Sequence, residues 1–498
     1  MELQFQKREI PCLRNLLTQV QNLEQTQELR IPEGQPAAAR VLSSWGQILM
    51  RSKDWNRDSV QFSGGVQVWV LYEPEEGAGV QRLESWIPFR MEWDLPEEGQ
   101  NGRMRLLPVL RFVDARLISA GKILIRVGIA AQVECWTVCR ETVSLPGEPS
   151  DMVQILCSSW PVRLPREAGE KIFDLEDALT MPASAPRVDR IIYCRMDPVV
   201  TDQKVLGSKL VFRGSGMLHV LYLCEDGLLH NWDFELPFSQ YAELDTSYSQ
   251  EAQADVQMVV THLELEPDEE GKLLLKAGLT GQYLVDERET LEMVEDAYEP
   301  NRELSIRREE LDLPILLDTR REVILADQTL PAEAERVSDA VFFPDFPRQH
   351  REGDNITLEQ TGMLQMLYYD REGRLQSAAQ RWQGTALVRA DESARVTAVP
   401  QPSQLHIQPG AGIVDIRGEV PVLVTTSAGR GLPMVSGIEL GEKKEPDPMR
   451  PSLILRRAGT DRLWDIAREN GSTMEMIRSA NALTGEPEPG AMLLIPVL

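Results

Sequence analysis

The fold is decided by the segment "GSGMLHVLYLCEDG" (Gly214–Gly227), which has two relatives elsewhere in the chain. These are "GGVQVWVLYE" (Gly64–Glu73) and "TGMLQMLYYDREG" (Thr361–Gly373). Each contains a glycine followed by a mainly apolar run that ends in Leu-Tyr, a composition typical of a strand. A motif that recurs along a chain predicts several copies of one structural unit.

A second motif lies at a constant distance from the first. An arginine precedes each repeated tyrosine by 32 residues: Arg40 before Tyr72, Arg190 before Tyr222 and Arg336 before Tyr368. Lys122 and Lys272 follow the first two tyrosines by 50 residues, whereas the third copy is shorter in this part. Equal spacings between matching motifs are hard to obtain by chance, so the sequence predicts one domain present three times.

The repeated arginines and tyrosines each have a structural and a functional interpretation. We expect each arginine to fix a loop through a carboxylate, with contact to an acidic partner as the alternative. We expect each tyrosine to cap a strand and pack over the sheet edge, with a shared binding site as the alternative.

The residues after Lys122 alternate in the way of a half-buried strand. One face carries apolar residues and the other carries polar ones: Ile123, Ile125, Val127 and Ile129 against Arg126 and Gln132. Such strands, separated by glycine, proline and acidic turns, predict a mostly β protein. Each domain is expected to be a sandwich or a small barrel.

The predicted domain boundaries follow the repeats. A chain of 498 residues is too long for one core. We place β-rich domains at residues 1–150, 151–303 and 304–440, a charged, proline-rich linker at 441–451 and a C-terminal domain at 452–498.

The C-terminal stretch "LILRRAGTDRLWDIARENGSTMEMIRSANALTGEPEPGAMLLIPVL" (Leu453–Leu498) has a different pattern. It opens and closes with short apolar strands. Between them, Leu463, Ile466 and Ala467 recur at helical spacing, and a second helix is predicted after Ser472 or Thr473. The sequence therefore predicts a β-α-α-β unit.

This stretch resembles a LysM domain in three motifs, Leu463-Trp464-x-Ile466-Ala467, Asn481-x-Leu483 and Pro489-Gly490-x-x-Leu493-x-Ile495-Pro496. The resemblance implies a ligand groove between two loops, formed by Thr460, Asp461, Arg462, Leu463, Asn481, Ala482, Leu483 and Thr484. The family usually has Gly-Asp-Thr directly before Leu-Trp. Here the residues are Gly459-Thr460-Asp461-Arg462, so Arg462 stands where a small hydroxyl side chain is expected. A guanidinium suits a carboxylate better than a neutral sugar, so Arg462 favours a protein ligand.

The three repeats followed by one LysM-like domain resemble SipL-like proteins, which are built from SPOCS domains. This resemblance implies a non-enzymatic scaffold in spore coat assembly, located in the mother-cell cytosol at the forespore surface. It also implies that the LysM domain engages the coat basement-layer ATPase, SpoIVA, and that other coat proteins bind as well.

Charge and hydropathy exclude several classes of protein. The formal net charge of −26 would repel nucleic acid and anionic lipid. No apolar run is long enough for a transmembrane helix, and the first 30 residues have no signal-peptide core. We therefore expect a cytoplasmic protein with no nucleic-acid partner.

The cysteines and histidines predict neither a metal site nor a cofactor. The chain has no C-x-x-C motif, and Cys135 and Cys139 have no further Cys or His nearby in sequence. Phosphate loops, G-x-S-x-G elbows and H-E-x-x-H motifs are absent as well. The sequence predicts a binding protein rather than an enzyme, and the alternative function is a cell-wall protein that binds peptidoglycan or another N-acetylglucosamine-containing glycan.

Overall fold

The computed structural model describes residues 2–3, 5–77, 79–96, 102–145, 153–268, 271–444 and 449–498. Strands make up 74% of the structure and helices 3%. The prediction of a mostly β protein is therefore confirmed. Neither helix in the described part of the chain has the length or the apolar character needed to cross a bilayer.

A short first strand, β1 (Glu2–Leu3), precedes a six-stranded unit that we call unit 1 (residues 6–145). Unit 1 contains β2 (Gln6–Arg30), β3 (Ala38–Trp55), β4 (Ser59–Pro74), β5 (Gln81–Asp94), β6 (Arg103–Ser119) and β7 (Lys122–Leu145). Its strands form two antiparallel three-stranded sheets. The terminal sheet has the order β2-β7-β6, and the meander sheet has the order β3-β4-β5.

Unit 2 (residues 154–298) repeats this topology. It contains β8 (Gln154–Leu179), β9 (Val188–Leu206), β10 (Lys209–Cys224), β11 (Leu229–Glu243), β12 (Gln253–Pro267) and β13 (Leu273–Tyr298). Its terminal sheet has the order β8-β13-β12 and its meander sheet β9-β10-β11. The strands thus follow each other in the same order as in unit 1.

Unit 3 (residues 302–443) has the same plan with interrupted strands. Its strands are β14 (Arg302–Leu311), β15 (Leu316–Leu330), β16 (Ala334–Pro344), β17 (Arg348–Glu352), β18 (Asn355–Asp370), β19 (Leu375–Arg389), β20 (Arg395–Pro400), β21 (Gln404–Pro409), β22 (Val414–Ser427) and β23 (Leu432–Lys443). The pair β14 and β15 takes the place of one long first strand. Pro314 lies in the gap between them and has no N–H to donate to a ladder.

The two sheets of unit 1 pack face to face. Val66 and Val68 of the meander sheet share one buried cluster with Leu106, Ile123 and Ile125 of the terminal sheet. Two layers around a common apolar core form a sandwich. Of the two alternatives left open by the sequence, unit 1 therefore has the sandwich.

The central parts of β7 and β13 are buried on both faces. Every residue is buried from Val127 to Trp136, and again from Ala277 to Asp286. Gln132 points away from the apolar face, as predicted, but it is buried rather than in water and donates to Glu134 Oε1 at 2.8 Å. The sequence alternation ends where a second unit covers the sheet.

The C-terminal unit (residues 453–498) has the predicted order of elements. It contains β24 (Leu453–Arg457), α1 (Leu463–Glu469), α2 (Met474–Asn481) and β25 (Met492–Pro496). The two strands are antiparallel, and α2 begins at the N-cap Thr473, whose side chain accepts a hydrogen bond from the Met476 N–H.

The domain boundaries stay predictions. The predicted boundary at 150/151 lies outside the described residues, and so do residues 445–448 of the predicted linker. Strand β23 continues to Lys443, into the first residues assigned to that linker, because β14 pairs with it along this length. Strand β14 itself begins at Arg302, two residues before the predicted start of the third domain.

Candidate functional site

The repeated arginines join the units to one another through the same contact. In each case Nη2 donates to a backbone carbonyl at the start of the last meander strand of another unit. The three contacts are Arg40 to Leu375 O (3.1 Å), Arg190 to Val80 O (3.0 Å) and Arg336 to Leu229 O (2.9 Å). Nη1 lies beside the next side chain in each case, that of Gln376, Gln81 or His230.

These arginine contacts close a ring. Unit 1 reaches unit 3, unit 3 reaches unit 2, and unit 2 reaches unit 1. The expectation that each arginine fixes a loop through a carboxylate is therefore wrong about the group that accepts the hydrogen bond. The shared acceptor is a backbone carbonyl, because the start of an edge strand has C=O groups that no neighbouring strand uses. Among the described residues, a carboxylate is added for Arg40 alone, that of Glu73 in its own unit at 3.1 Å.

A second set of equivalent contacts runs around the same ring. The residue three positions before each repeated tyrosine meets the residue three positions after an arginine of the next unit. The pairs are Trp69 with Tyr193 (ring centroids 6.1 Å apart), His219 with Asp339 (2.9 Å) and Gln365 with Ser43 (2.7 Å). The positions are equivalent, but the chemistry differs from pair to pair.

Asp339 is the polar centre of this junction. Its carboxylate is 1% exposed and accepts hydrogen bonds from Trp45 Nε1 of unit 1 at 2.7 Å and from the Tyr193 hydroxyl of unit 2 at 3.2 Å. His219 lies between Asp339 and Asp233, whose Oδ1 is 2.5 Å from His219 Nδ1. Burial by itself would lower the pKa of His219, but the two carboxylates raise it to about 9. The protonated form of His219, whose side chain is 13% exposed, is thus favoured, and its two contacts link β10 to β11 and β16.

The three units surround a cavity of about 290 Å³. Equivalent strands of the units line it, with Gly46 in β3, Met196 in β9 and Phe342 in β16 at matching positions. Several polar lining groups are already engaged: Arg195 with Asp197 at 2.8 Å, and Gln47 with the Met196 N–H at 3.1 Å. The cavity is therefore a consequence of ring closure, and Arg195 and Asp197 in its lining are paired with each other.

The repeated tyrosines lie at matching positions, near the end of the central meander strand. Tyr72 pairs with Gln81, Tyr222 with His230, and Tyr368 with Gln376. Tyr72 and Tyr222 are fully buried, and Tyr368 is half-buried. The hydroxyl of Tyr72 donates to Pro36 O at 3.0 Å, which ties the strand to the segment before β3. This geometry fits a structural role.

On the C-terminal unit, Arg462 is held by carboxylates of its own chain. Its Nη1 lies 2.8 Å from Glu295 Oε1 of β13, and its Nε lies 3.2 Å from Asp465 Oδ2. The hydrogen bond to Glu295 is the main cause of the raised pKa of Arg462. The side chain remains 53% exposed. Arg462 therefore carries an intramolecular contact that the sequence had assigned to a partner.

The rest of the first predicted groove loop is also engaged within the chain. Asp461 accepts a hydrogen bond from Arg456 at 2.8 Å, and the Leu463 N–H at the start of α1 donates to Glu486 Oε2 at 2.7 Å. Leu463 is buried in the core of the unit, whereas Thr460 is exposed. A backbone donor that a groove would offer to a ligand is thus occupied by Glu486.

The second predicted groove loop is ordered by Asn481. Its amide donates to Leu494 O at 2.6 Å and accepts from the Leu494 N–H at 2.7 Å, so it pairs with β25 as a strand residue would. Ala482 adopts a left-handed conformation (φ 51°) that ends α2, and the side chain of Leu483 packs into the core. Thr484 is exposed. Five of the eight predicted groove residues are exposed: Thr460, Asp461, Arg462, Ala482 and Thr484. Asp461 and Arg462 are held by ion pairs within the chain, which leaves Thr460 and Thr484 as exposed polar side chains on the two loops.

A contact that the sequence did not indicate seats the C-terminal unit on unit 2. Trp464 Nε1 donates to Asp296 Oδ2 at 3.0 Å, and Arg468 reaches the same oxygen at 2.6 Å. The Tyr298 ring packs edge-on against Trp464 with centroids 4.7 Å apart, and its hydroxyl donates to Ser472 O at 2.9 Å. The end of β13 therefore completes the core of the C-terminal unit.

Two cysteine-containing groups form only in the tertiary structure. Cys12 and Cys139 face each other on β2 and β7 with sulfurs 3.0 Å apart. Cys224, Asp226 and His230 have ligand atoms within 4.8 Å of one another, a grouping that the sequence analysis did not identify. Arg336 lies 3.3 Å from His230 Nε2, and both burial and this cation lower the pKa of His230. A metal ion there would compete with the Arg336 contact, so we assign His230 to the interface.

Residues 187–267 match the family described as "SipL, SPOCS domain". The matched segment covers the meander sheet of unit 2 and strand β12. The match supports a relationship with the SipL-like family and a mostly β, sporulation-related protein. Neither the curated proteins nor the solved structures gave a match.

Proposed function

We propose that this chain is a non-enzymatic scaffold in endospore coat assembly, acting in the mother-cell cytosol at the forespore surface. The observation behind the proposal is the match of residues 187–267 to the SipL SPOCS domain. Because units 1 and 3 have the strand order of unit 2, we propose that all three units are SPOCS domains.

The contacts between the units support a scaffold. Three arginine contacts and the buried Asp339 hydrogen bonds hold the units in one fixed arrangement. Fixed units keep their exposed surfaces at constant distances from one another, which favours the assembly of several proteins at once. Other coat proteins would bind these surfaces.

The C-terminal unit is proposed to be a LysM domain that docks the coat basement-layer ATPase, SpoIVA. Its attachment to β13 through Asp296 and Tyr298 gives it a defined orientation on the scaffold. The exposed Thr460 and Thr484, with the half-exposed Arg462 between the loops and unit 2, are the proposed contact residues.

The glycan alternative has less support from the same loops. Sugar recognition requires unoccupied donors and acceptors, because the hydroxyls of a neutral sugar must be matched by hydrogen bonds. Here the Leu463 N–H donates to Glu486, and the Asn481 amide both donates to and accepts from the backbone of Leu494. A protein surface is the better ligand for the exposed residues of these loops.

The proposal is tested by titrating the full chain with the purified basement-layer ATPase and, separately, with N-acetylglucosamine oligomers. We expect the ATPase to bind and the oligomers not to bind. The double variant Thr460→Glu/Thr484→Glu should weaken ATPase binding by roughly tenfold or more, since each change places a charge in the interface. The matched control is Thr26→Glu, an exposed threonine on β2 of unit 1. Oligomer binding without ATPase binding would overturn the proposal in favour of the cell-wall alternative.

A further inference from the structure

Strand β24 has one edge with no partner strand in the described part of the chain. Ser452 O and the Ala458 N–H, at the two ends of β24, are bonded to the β25 side, to Val497 and Ala491. In an antiparallel ladder the backbone groups alternate between the two sides. The N–H and C=O groups of Leu453, Leu455 and Arg457 are therefore directed to the open edge.

The same residues form an exposed apolar face. Leu453 and Leu455 are 53% and 64% exposed, and Leu494 and Met492 beside them on β25 are 39% and 55% exposed. Helices α1 and α2 cover the opposite face, where Leu493 and Ile495 are buried. Solvent-exposed apolar residues in one contiguous group are typical of a protein interaction surface.

Several other edge strands of this protein carry a feature that disfavours strand addition. Proline, which has no N–H to donate, interrupts six edge strands of units 1 and 2. These prolines are Pro11 in β2, Pro88 in β5, Pro108 in β6, Pro161 and Pro165 in β8, Pro198 in β9 and Pro237 in β11. The outer edge of β25 is blocked in another way, by the Asn481 amide on Leu494. Strand β24 contains no proline, and its open edge is flanked by leucines.

We propose that the open edge of β24 binds an extended segment of a partner protein as an additional strand. Backbone hydrogen bonds to Leu453, Leu455 and Arg457 would supply the affinity, as in other cases of strand addition. The segment would place apolar residues opposite Leu453 and Leu455 and an acidic residue opposite Arg457. In the antiparallel direction its pattern is acidic-x-apolar-x-apolar.

A second copy of the chain fits this edge less well. Antiparallel pairing of β24 with itself, centred on Leu455, would place Leu453 of each copy opposite Arg457 of the other. Arg457 would then have no acidic partner, and two chains of net charge −26 would be brought together. A partner that supplies a carboxylate avoids both costs.

The test rests on the proposed function in one respect, because the probe is the purified basement-layer ATPase. Amide hydrogen exchange of the full chain is measured with and without the ATPase. We expect the amides of Leu453, Leu455 and Arg457 to become protected by about tenfold or more in the complex. Unchanged exchange in a complex that does form would overturn the strand-addition inference.

Two variants separate strand addition from docking on the apolar face. Leu455→Pro removes an N–H that points away from β25, so it should weaken ATPase binding by roughly tenfold or more while the β24–β25 ladder is kept. Leu455→Lys keeps the N–H, places a charge in the apolar row beside Arg457, and provides a second test if the proline variant is unstable. The control Leu494→Lys changes the same face on the far strand and should reduce binding by less than about twofold.

The outcomes distinguish the two proposals. Equal losses in Leu455→Lys and Leu494→Lys, without amide protection, would overturn strand addition in favour of face docking. Dimerisation of the chain that Leu455→Pro abolishes would replace the partner with a second copy. Absence of any ATPase binding by the unaltered chain would overturn the proposed function together with this inference.

Discussion

The Asp339 carboxylate accepts a 2.7 Å hydrogen bond from the Trp45 indole, although the two residues are 294 positions apart in the chain. Trp45 also stacks on Tyr193, with ring centroids 4.6 Å apart. One buried carboxylate of unit 3 thus holds unit 1 and unit 2 at the same point. Buried polar groups of this kind select one arrangement, because any other leaves several of them without a hydrogen bond.

Replacing Asp339 should weaken the contacts that hold the three units together. Asp339→Ala leaves Trp45 and Tyr193 without their acceptor and removes one of the two carboxylates bound to His219, and we expect a loss of about 3–5 kcal/mol in the free energy of unfolding. Asp339→Asn retains one acceptor oxygen and should lose less. Urea unfolding followed by tryptophan fluorescence measures both. Equal, small losses below about 1 kcal/mol would show that the junction is not cooperative.

The junction should make stability depend on pH. The folded pKa of His219, about 9, lies above its ordinary value of 6.5. A raised pKa contributes stability that is fully present below about pH 6.5 and is lost as pH rises through about 9. The contribution is on the order of 3 kcal/mol. We therefore expect the free energy of unfolding of the native chain to fall between pH 6.5 and 9.5. In the His219→Gln variant it should change less over the same pH range, as measured by urea titrations.

The arginine contacts between units should contribute more than ordinary surface ion pairs. Arg190→Ala removes the charge-assisted hydrogen bond to Val80 O and the contact with Gln81 Oε1. It should lower the free energy of unfolding by about 1.5–3 kcal/mol. The matched control is Arg126→Ala, since Arg126 pairs with Glu24 at 2.9 Å on an exposed face of unit 1. It should cost less than about 1 kcal/mol. Thermal unfolding at equal protein concentration compares the two, and equal costs would contradict the ring contact.

Trp464 and Arg462 should contribute very differently to the attachment of the C-terminal unit to unit 2. Trp464→Ala empties a buried site at the contact with Tyr298 and should cost about 3–5 kcal/mol, releasing the unit from β13. Arg462→Ala breaks a half-exposed pair with Glu295 and should cost less than about 1 kcal/mol. Limited proteolysis between unit 3 and β24 reports release of the unit. Rapid cleavage in Arg462→Ala but not in Trp464→Ala would reverse this assignment.

The facing cysteines of β2 and β7 should form a disulfide under a mild oxidant. Cys12 and Cys139 are directly opposite in the strand register, with sulfurs 3.0 Å apart. A bond between them would close a loop of more than 100 residues, and the chain-entropy model gives about 4–5 kcal/mol for such a loop. Intact mass after oxidation, compared with Cys12→Ser, measures the link. Cys157, which is exposed, serves as the control thiol.

Much of the local structure followed from short-range patterns. The alternation after Lys122 predicted the buried face of β7, and Ile123, Ile125, Val127 and Ile129 are all buried. Helical spacing of Leu463, Ile466 and Ala467 predicted α1. Such patterns can be read from the chain because a strand or a helix face repeats every few residues, whatever the element packs against.

The contacts between units could not be read in this way. Spacing marked Arg40, Arg190 and Arg336 as equivalent, but their acceptors are carbonyl oxygens of other units, and every residue has a carbonyl. The assignment of Arg462 to a partner had the same weakness, since Glu295 lies 167 residues away in sequence. An arginine needs an acceptor, but its own sequence neighbourhood does not identify one.

The sequence by itself determined the mostly β class, the recurring motif pair and the strand-helix-helix-strand order of the C-terminal unit. Only the tertiary structure decided that the units close a ring around Asp339, that β13 completes the core of the C-terminal unit, and that β24 keeps an open edge. Periodicity records which face of an element is apolar. Which other surface covers that face depends on residues far apart in the chain, and their proximity exists only after folding.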